Sequence, residues 1–278
     1  MLKKISHRLS VLLKAAHFFL LPPGRGRLAL RKIWHADRGV QFTRSWMPTK
    51  VRSEPAKVST QSNPLLSYFE SKKKGHGIWK WTHYFEVYEQ FFSPFVSKEV
   101  HLLEIGVYSG GSLEMWPAYF GEKARIYGVD VEPACQQYAN AQVAIFIGDQ
   151  ADRAFWQHFK TKVLHLDLII DDGGHTTQQQ IVTLEEMLPH LSPGGVYIIE
   201  DIHGSDNLFA SYLYGLQQSL HAADFLPGSD YKTKANPFQQ MIRAIHIYPY
   251  LAVIQKRKHP ILEFPSPKRG TQWQPFYE

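Results

Sequence analysis

The chain has 278 residues, of which 44% are hydrophobic and 20% charged, so it can build one sizeable globular domain with an extension. Its single cysteine, Cys135, excludes an internal disulfide framework and a cysteine-based zinc site. The formal net charge is +6, but residues 1–36 contain eight basic residues and no acidic one, so the remainder carries −2. Because the positive charge is confined to the N-terminal segment, the rest of the chain is not expected to bind nucleic acid.

Residues 1–63 are interpreted as a basic N-terminal extension followed by a linker. Apolar residues recur three or four apart up to the Pro-Pro-Gly sequence at 22–24, which predicts an amphipathic helix. Lys14 and His17 interrupt the apolar run, so it is too short for a transmembrane span. Three roles stay open for this helix: packing on its own domain, contact with a membrane surface through residues 1–21, and targeting of an otherwise cytoplasmic protein to an organelle.

An aromatic segment follows the linker and predicts a helix with one aromatic face. The ring-bearing residues recur at steps of three or four: Trp81, Tyr84, Tyr88, Phe91 or Phe92, and Phe95. Such a helix could simply pack on one side of a sheet. The Gly-His-Gly sequence at 75–77 could instead introduce a lid over a ligand, and the sequence leaves both interpretations open.

Residues 101–130 predict a strand, a glycine turn, a helix and a second strand that ends in Asp130. Dinucleotides and S-adenosylmethionine both bind to units of this design. A dinucleotide turn has glycine at its middle position, where the pyrophosphate approaches the backbone. Here Gly106 and Gly111 occupy the outer positions and Tyr108 the middle one, so the turn favours S-adenosylmethionine.

The remaining sequence predicts an α/β fold with a mostly parallel sheet and helices on both faces. Further nearly continuous apolar runs, each followed by polar or acidic residues, lie at 143–147, 166–170 and 196–199. Two more runs within 241–256 predict an antiparallel hairpin that closes the sheet. We expect residues 64–258 to form this domain and the proline-containing tail, 259–278, to lack regular structure.

Four residues at the ends of two strands predict a reactive site. Asp172 follows one strand and Glu200 and Asp201 follow the next, so their carboxylates should lie about one strand spacing apart, roughly 5 Å. Such carboxylates repel one another unless a cation or protons are present, and oxygen ligands favour Mg²⁺, with Mn²⁺ and Ca²⁺ as alternatives. His175 could act as a general base, with His203 as a fallback. The competing interpretation is a capped helix start with solvated acids.

Five segments, LLEIGVYSGGSLEMW, YGVDV, GDQAD, DLIIDDGGH and LSPGGVYIIEDIH, give the chain a resemblance to class I S-adenosylmethionine-dependent methyltransferases. More narrowly, they resemble the metal-dependent sugar O-methyltransferases of macrolide biosynthesis and relatives near the cephalosporin hydroxylases. The resemblance implies a Rossmann-like class I sheet over about residues 64–256. Pro117, inside the helix after the glycine turn, departs from the pattern and should kink or shorten that helix.

The resemblance also implies roles for individual residues. The methionine part of the cofactor would lie against Glu104, Gly106, Tyr108, Gly110 and Ser112. Asp130 would bind the ribose, Asp149 and Gln150 would border the adenine, and Tyr84 would help to cover the cofactor. Mg²⁺ would be held by Asp172, Glu200 and Asp201, and His175 would be the catalytic base.

These observations predict a Mg²⁺-dependent O-methyltransferase that acts on a hydroxyl beside a second oxygen, on a sugar or a glycosylated small molecule. A catechol-like or lipid-linked acceptor is one alternative. Another is a protein that binds S-adenosylmethionine without catalysis and serves as an interaction module. Independently of its function, the chain could form a homo-oligomer. A dinucleotide-dependent oxidoreductase is disfavoured by Tyr108.

Overall fold

A computed structural model of the chain describes residues 25–44, 63–203, 207–225 and 232–270. The chain divides into two compact units, Met1–Thr60 and Gln61–Glu278. The amphipathic helix expected before residue 22 lies outside the described residues. Within the described ranges, no helix combines the length and the apolar character that crossing a membrane requires.

In the first unit, one helix, α1 (Arg25–Arg44), is described. This helix lies within residues 1–63, the predicted extension and linker, and no helix was predicted there after residue 24. The segment contains mostly good helix formers and no proline, which supports a helix even without a clear apolar stripe. Periodicity was the signal used for the N-terminal segment, and it misses a helix of this kind.

The second unit is built on a seven-stranded sheet in the order β3-β2-β1-β4-β5-β9-β8. Its strands are β1 (Val100–Ile105), β2 (Ala124–Asp130), β3 (Val143–Ile147), β4 (Leu168–Asp171), β5 (Val196–Ile199), β8 (Ile242–Tyr248) and β9 (Leu251–Lys256). The first five are parallel, and β9 is antiparallel to both β5 and β8. The predicted mostly parallel sheet with a closing antiparallel hairpin is confirmed.

Helices cover both faces of this sheet. They are α2 (Pro64–Ser71), α3 (Tyr84–Phe92), α4 (Gly111–Phe120), α5 (Arg153–Lys162), α6 (Thr177–His190), α7 (Phe209–Leu220) and α8 (Pro237–Met241). Alternate strand residues enter two separate cores: Leu102 lies in the core that contains Phe85 and Trp116, and Leu103 in the one that contains Trp156 and Phe209. Burial on both faces explains why the strands are almost uniformly apolar.

Local sequence determines where two of these helices begin and end. Thr176 caps α6, and its side chain and that of Gln179 form a reciprocal capping box. The acids before this helix therefore do not cap it, which removes the competing explanation for Asp172. Helix α4 continues through Pro117 and ends at Phe120, where Gly121 with φ +96° caps it.

The C-terminal tail contains a strand that the sequence did not predict. β10 (Glu263–Pro265) pairs antiparallel with β7 (Lys232–Lys234), which in turn pairs with β6 (Asp224–Phe225). The expectation that the tail lacks regular structure is wrong at this point. The strand has three residues and ends in proline, so it is too short to show a period of two, and proline is tolerated there because the strand lies at a sheet edge.

Candidate active site

One cavity of about 810 Å³ lies at the C-terminal edge of the parallel strands. The turn after β1, the end of β2 and the ends of β4 and β5 contribute to its wall, together with residues 77–81. We call residues 75–81, which lead into α3, the strap. Open α/β sheets bind ligands at this edge, and the volume is toward the upper end for small-molecule sites. The cavity is therefore large enough for a cofactor and a second ligand.

The glycine turn after β1 is fixed by the neighbouring strands. Gly106 has φ +91°, and a Cβ atom there would lie 2.0 Å from the backbone oxygen of Asp172. The Asp130 carboxylate accepts hydrogen bonds from the backbone N–H groups of Val107 (2.9 Å) and Tyr108 (3.0 Å). Asp130 thus lies on the cavity wall, as predicted for a ribose ligand, and it also shapes the turn.

The strap presses against the first residues of α4. A Cβ atom on Gly111 would lie 2.3 Å from the backbone oxygen of Gly77, so only glycine allows this approach. Gly110 has φ +75° and faces the ring of Tyr138; it is not among the cavity-lining residues, whereas Tyr108 and Ser112 are. The strap therefore lies directly against the start of α4.

Glu104 is buried beneath the turn. Its Oε2 accepts hydrogen bonds from Ser112 Oγ (2.7 Å) and Trp116 Nε1 (3.0 Å). Its Oε1 accepts no hydrogen bond from the described residues and has Lys80 Nζ 3.5 Å away. This oxygen lacks a hydrogen-bond donor, as a partner for a methionine ammonium would, but Glu104 is fully buried and is not among the residues that line the cavity. Residues of the glycine turn and Asp130 do line the cavity, and they fit that cofactor.

Lys80 is the main site residue that the sequence analysis missed. Its side chain is only 3% exposed, and its Nζ lies 2.5 Å from Asp172 Oδ2 and 3.1 Å from Glu200 Oε2. The lysine stands between two tryptophans in a strap without periodicity, so the local sequence does not indicate that it is buried. The one signal that pointed to a cation here was the predicted group of carboxylates, which needs a positive charge nearby. Nearby carboxylates hold the pKa of Lys80 well above its usual value, although burial acts in the opposite direction.

Burial raises the pKa of the carboxyl groups around Lys80. The pKa of Glu200 rises to about 8, and those of Glu104 and Asp172 also rise, in each case with burial as the largest cause and Lys80 opposing it. Tyr88 donates a hydrogen bond to Glu200 Oε1. One ammonium thus stands among three carboxylates, which leaves an excess of acidic groups at this edge of the sheet.

Asp172, His175 and Asp201 form a second group that could hold a metal ion. One ligand atom from each lies within 4.8 Å of the others. His175 Nε2 is 3.5 Å from Asp201 Oδ2 and 4.0 Å from Asp172 Oδ1. We call these three residues the acid cluster. Two carboxylates with a histidine, open to the cavity, provide a donor set that a divalent cation accepts.

The structure thus brings together three of the four predicted reactive residues. Glu200, predicted as a metal ligand, lies beside the acid cluster but directs its carboxylate to Lys80 and Tyr88. It stays a predicted ligand, and binding a metal would require its carboxylate to turn away from Lys80 Nζ.

Two aromatic side chains orient Asp201. Tyr84 Oη donates to Asp201 Oδ1 at 2.9 Å, and Trp81 Nε1 donates to the same oxygen at 3.0 Å. Burial raises the pKa of Tyr84 well above its usual value, so the phenol stays protonated as a donor. Tyr84 is on the cavity wall, as expected, but its hydroxyl is directed to Asp201. Helix α3 therefore both packs on the sheet and contributes to the site.

The two residues expected beside the adenine lie in different environments. Gln150 is buried on the cavity wall; its Oε1 accepts a hydrogen bond from Gly174 N at 2.6 Å and its Nε2 donates to Asp171 Oδ1 at 2.9 Å. It supports the loop that carries His175. Asp149 is exposed, caps a local turn through Ala151 N and is not among the lining residues.

Strained backbone is concentrated at this site. Tyr108, His175 and Asp201 have φ values of +49°, +54° and +55°, and all three line the cavity. Left-handed conformations are unfavourable for residues with a side chain and persist where the surrounding structure enforces them, commonly at functional sites. The fallback base, His203, is exposed at the cavity wall on the side of Asp201.

Comparison with known proteins agrees with this geometry. Residues 103–202 match a family described as a methyltransferase domain. The 8-demethyl-8-α-L-rhamnosyl tetracenomycin-C 2′-O-methyltransferase of Streptomyces olivaceus is 32% identical over 253 residues, which is 82% of this chain and 65% of that protein. The mycinamicin VI 2″-O-methyltransferase of Micromonospora griseorubida is 31% identical over 145 residues, 50% of this chain and 35% of that protein. The chain thus spans less than two thirds of these relatives.

Solved structures show the same fold. The MycE methyltransferase of the mycinamycin biosynthetic pathway, in complex with Mg, SAH and mycinamycin VI, has a TM-score of 0.57 and 25% sequence identity, with 70% of this chain and 53% of that chain covered. Its complex with Mg and SAH gives the same TM-score at 24% identity and 54% coverage of that chain. The chain therefore has the class I methyltransferase fold, matches a methyltransferase domain over residues 103–202, and resembles the sugar O-methyltransferases of natural-product pathways.

Proposed function

We propose that this protein is an S-adenosylmethionine-dependent, Mg²⁺-dependent O-methyltransferase that acts on a hydroxyl beside a second oxygen of a sugar or glycosylated small molecule. The observation that carries the proposal is that the glycine turn and the acid cluster line one cavity. The first fits a methyl donor and the second a divalent cation. The sugar O-methyltransferases that resemble the chain, and the MycE complexes with Mg and SAH, support both assignments.

The cofactor residues have separate tasks in this proposal. Glu104 receives the ammonium of the methionine part at its Oε1, and the turn from Gly106 to Ser112 surrounds that part. Asp130 binds the ribose from the end of β2. Lys80 keeps Glu104 and Asp172 close together, so it links the donor half of the site to the acid cluster.

The acceptor residues prepare the oxygen that receives the methyl group. Asp172 and Asp201 would hold Mg²⁺, joined by Glu200 if its carboxylate turns away from Lys80, and the bound ion would lower the pKa of an acceptor hydroxyl. His175 Nε2 takes the hydroxyl proton, and the oxygen then attacks the methyl carbon as the carbon–sulfur bond breaks. Because Nε2 cannot bind a cation and accept a proton at the same time, this proposal assigns His175 to proton transfer.

A tritiated methyl-transfer screen against glycosylated metabolites, with and without Mg²⁺, tests the function. We expect label to be incorporated into glycosides that carry neighbouring hydroxyls, and only when Mg²⁺ is present. If the label entered only catechols or lipid-linked acceptors, the proposed sugar acceptor would be wrong and one of these classes would take its place. Binding of S-adenosylhomocysteine without transfer to any acceptor would favour the non-catalytic interaction module.

A further inference from the structure

Three aromatic rings stand beside the acid cluster, and the scheme above uses none of their ring faces. Trp81 and Tyr250 have ring centroids 5.5 Å apart, and His203 and Tyr250 5.8 Å apart. We call these three residues the aromatic arc. Trp81 and His203 line the cavity, whereas Tyr250, at the turn from β8 to β9, is not a lining residue but contacts both of their rings. The arc therefore borders the cavity on the side of Asp201.

The arc keeps its rings partly exposed. Trp81 is 49% exposed and Tyr250 is 44% exposed. Large aromatic side chains that only fill a core are buried. The polar edge of Trp81 is already engaged, because its Nε1 donates to Asp201 Oδ1. What the tryptophan presents for further contacts is consequently its apolar ring surface.

Backbone contacts hold the arc in position. The backbone oxygen of Tyr250 accepts hydrogen bonds from Ile202 N at 2.9 Å and Tyr84 Oη at 3.1 Å. The ring of His83 is hydrogen-bonded to the backbone oxygen of Pro249 at 3.0 Å. Tyr250 has φ +61°, a strained conformation for a side-chain-bearing residue. These contacts tie the start of α3, the segment after β5 and the hairpin together, so the rings form a preorganised surface.

We propose that the aromatic arc is the acceptor subsite and binds the apolar C–H face of a pyranose ring, whose hydroxyls then reach the acid cluster. A pyranose has apolar faces and a hydroxyl-bearing edge, and this matches an aromatic wall beside carboxylates. Aliphatic C–H groups are attracted to the electron-rich face of an aromatic ring. The inference rests on the proposed function, because it names the part of the acceptor that this site recognises.

Saturation-transfer NMR with methyl α-L-rhamnopyranoside, in the presence of S-adenosylhomocysteine and Mg²⁺, tests the proposal on the full chain. We expect saturation of the ring C–H protons in the native protein. Trp81→Leu and Tyr250→Leu should each weaken binding by roughly threefold to tenfold, the loss of one aromatic contact. Trp81→Phe, which keeps a ring but lacks the indole N–H, should retain most of the saturation transfer to the pyranoside.

Two variants serve as matched controls. Trp34→Leu on α1 and Tyr214→Leu on α7 replace exposed aromatic residues that do not line the cavity, and they should leave the saturation unchanged. Calorimetry with S-adenosylhomocysteine checks that each variant is folded. We expect the affinity of each variant for this ligand to stay within about twofold of the native value, whereas a loss of about 1.4 kcal/mol would change it tenfold.

The results separate the arc from the proposed function. The arc inference is overturned if the native protein shows no saturation transfer, if Trp81→Leu binds the pyranoside as well as the native protein does, or if only catechol binding depends on Trp81. If pyranoside binding depends on Trp81 but no glycoside is methylated, the acceptor subsite stands and the proposed reaction fails.

Discussion

The Nζ atom of Lys80 lies 2.5 Å from Oδ2 of Asp172, which is 92 residues further along the chain. This contact joins the strap to the end of β4, and the same ammonium reaches Glu104 and Glu200. It places a fixed positive charge between the donor half of the cavity and the acid cluster. The strap is therefore a built-in part of the site.

Removing this charge should destabilise the protein strongly. Lys80→Met leaves three buried carboxylates without their ammonium, and breaking a buried ion pair from one side costs about 3–5 kcal/mol. Urea denaturation measures the change in the free energy of unfolding. Lys72→Met is the matched control, because Lys72 pairs with the more exposed Glu114, and such a pair contributes about 1 kcal/mol or less. Similar losses in the two variants would show that Lys80 is not the central cation.

The stability should depend on pH through Asp171. Burial raises the pKa of this carboxyl from 3.8 to about 7. The folded protein therefore holds a proton that the unfolded chain releases, so the group's contribution to stability is complete below about pH 4 and is lost as the pH rises to about 7.

Asp171→Asn removes this titration and keeps an acceptor for Gln150. Relative to the native protein, the free energy of unfolding of the variant should rise between about pH 4 and pH 7 and stay level above that range, since the native group has then lost its proton. Urea denaturation of both proteins at several pH values measures this difference in the free energy of unfolding. A difference between the two proteins that is constant over this range would contradict the assigned pKa.

The sequence could place the two halves of the site because both depend on strand ends. Asp130 ends β2 and Asp172 follows β4, the two parallel strands that flank β1, and the carboxyl ends of parallel strands meet at one edge of the sheet. The register of β4 and β5, in which Asp171 pairs with Ile199, then brings Asp201 near Asp172. Continuous apolar runs that end in acidic residues therefore predict both the strands and the edge of the sheet where the acids meet.

What the sequence could not provide are side-chain contacts between distant segments. Lys80 is in an irregular strap, and nothing local shows whether it points to solvent or into the protein. The direction of the Glu200 carboxylate depends on Lys80 and Tyr88, so it could not be read from the strand end either. For the same reason Gln150, a predicted adenine neighbour, was not recognised as a support of the Gly174 backbone.

Gln150 should be required for the position of His175. Gln150→Leu removes the acceptor of Gly174 N and the donor to Asp171, and an unsatisfied buried polar group costs about 1–3 kcal/mol. We expect lower stability and weaker Mg²⁺ binding by calorimetry, because the loop between Asp172 and His175 loses its support. Asp149→Ala, which affects an exposed turn nearby, should leave Mg²⁺ binding unchanged. Unchanged Mg²⁺ affinity in Gln150→Leu would refute the supporting role.

His175 should be needed for chemistry and dispensable for cofactor binding. His175→Ala removes the group proposed to take the hydroxyl proton, and general-base catalysis typically contributes about 10²–10⁴-fold. Methyl transfer should fall by at least this order, whereas the affinity for S-adenosylhomocysteine, measured by calorimetry, should hardly change. His203→Ala is the comparison variant. A larger loss of turnover in His203→Ala than in His175→Ala would move the base to His203.

Metal removal tests most directly the central claim that the glycine turn and the acid cluster form one site. Tritiated methyl transfer to a glycosylated acceptor is measured in the native protein, after EDTA treatment, and after Mg²⁺ is restored, with Asp201→Asn in parallel. We expect loss of transfer with EDTA, recovery with Mg²⁺ and weak recovery in Asp201→Asn, while S-adenosylhomocysteine still binds. Full transfer in the presence of EDTA would contradict the claim.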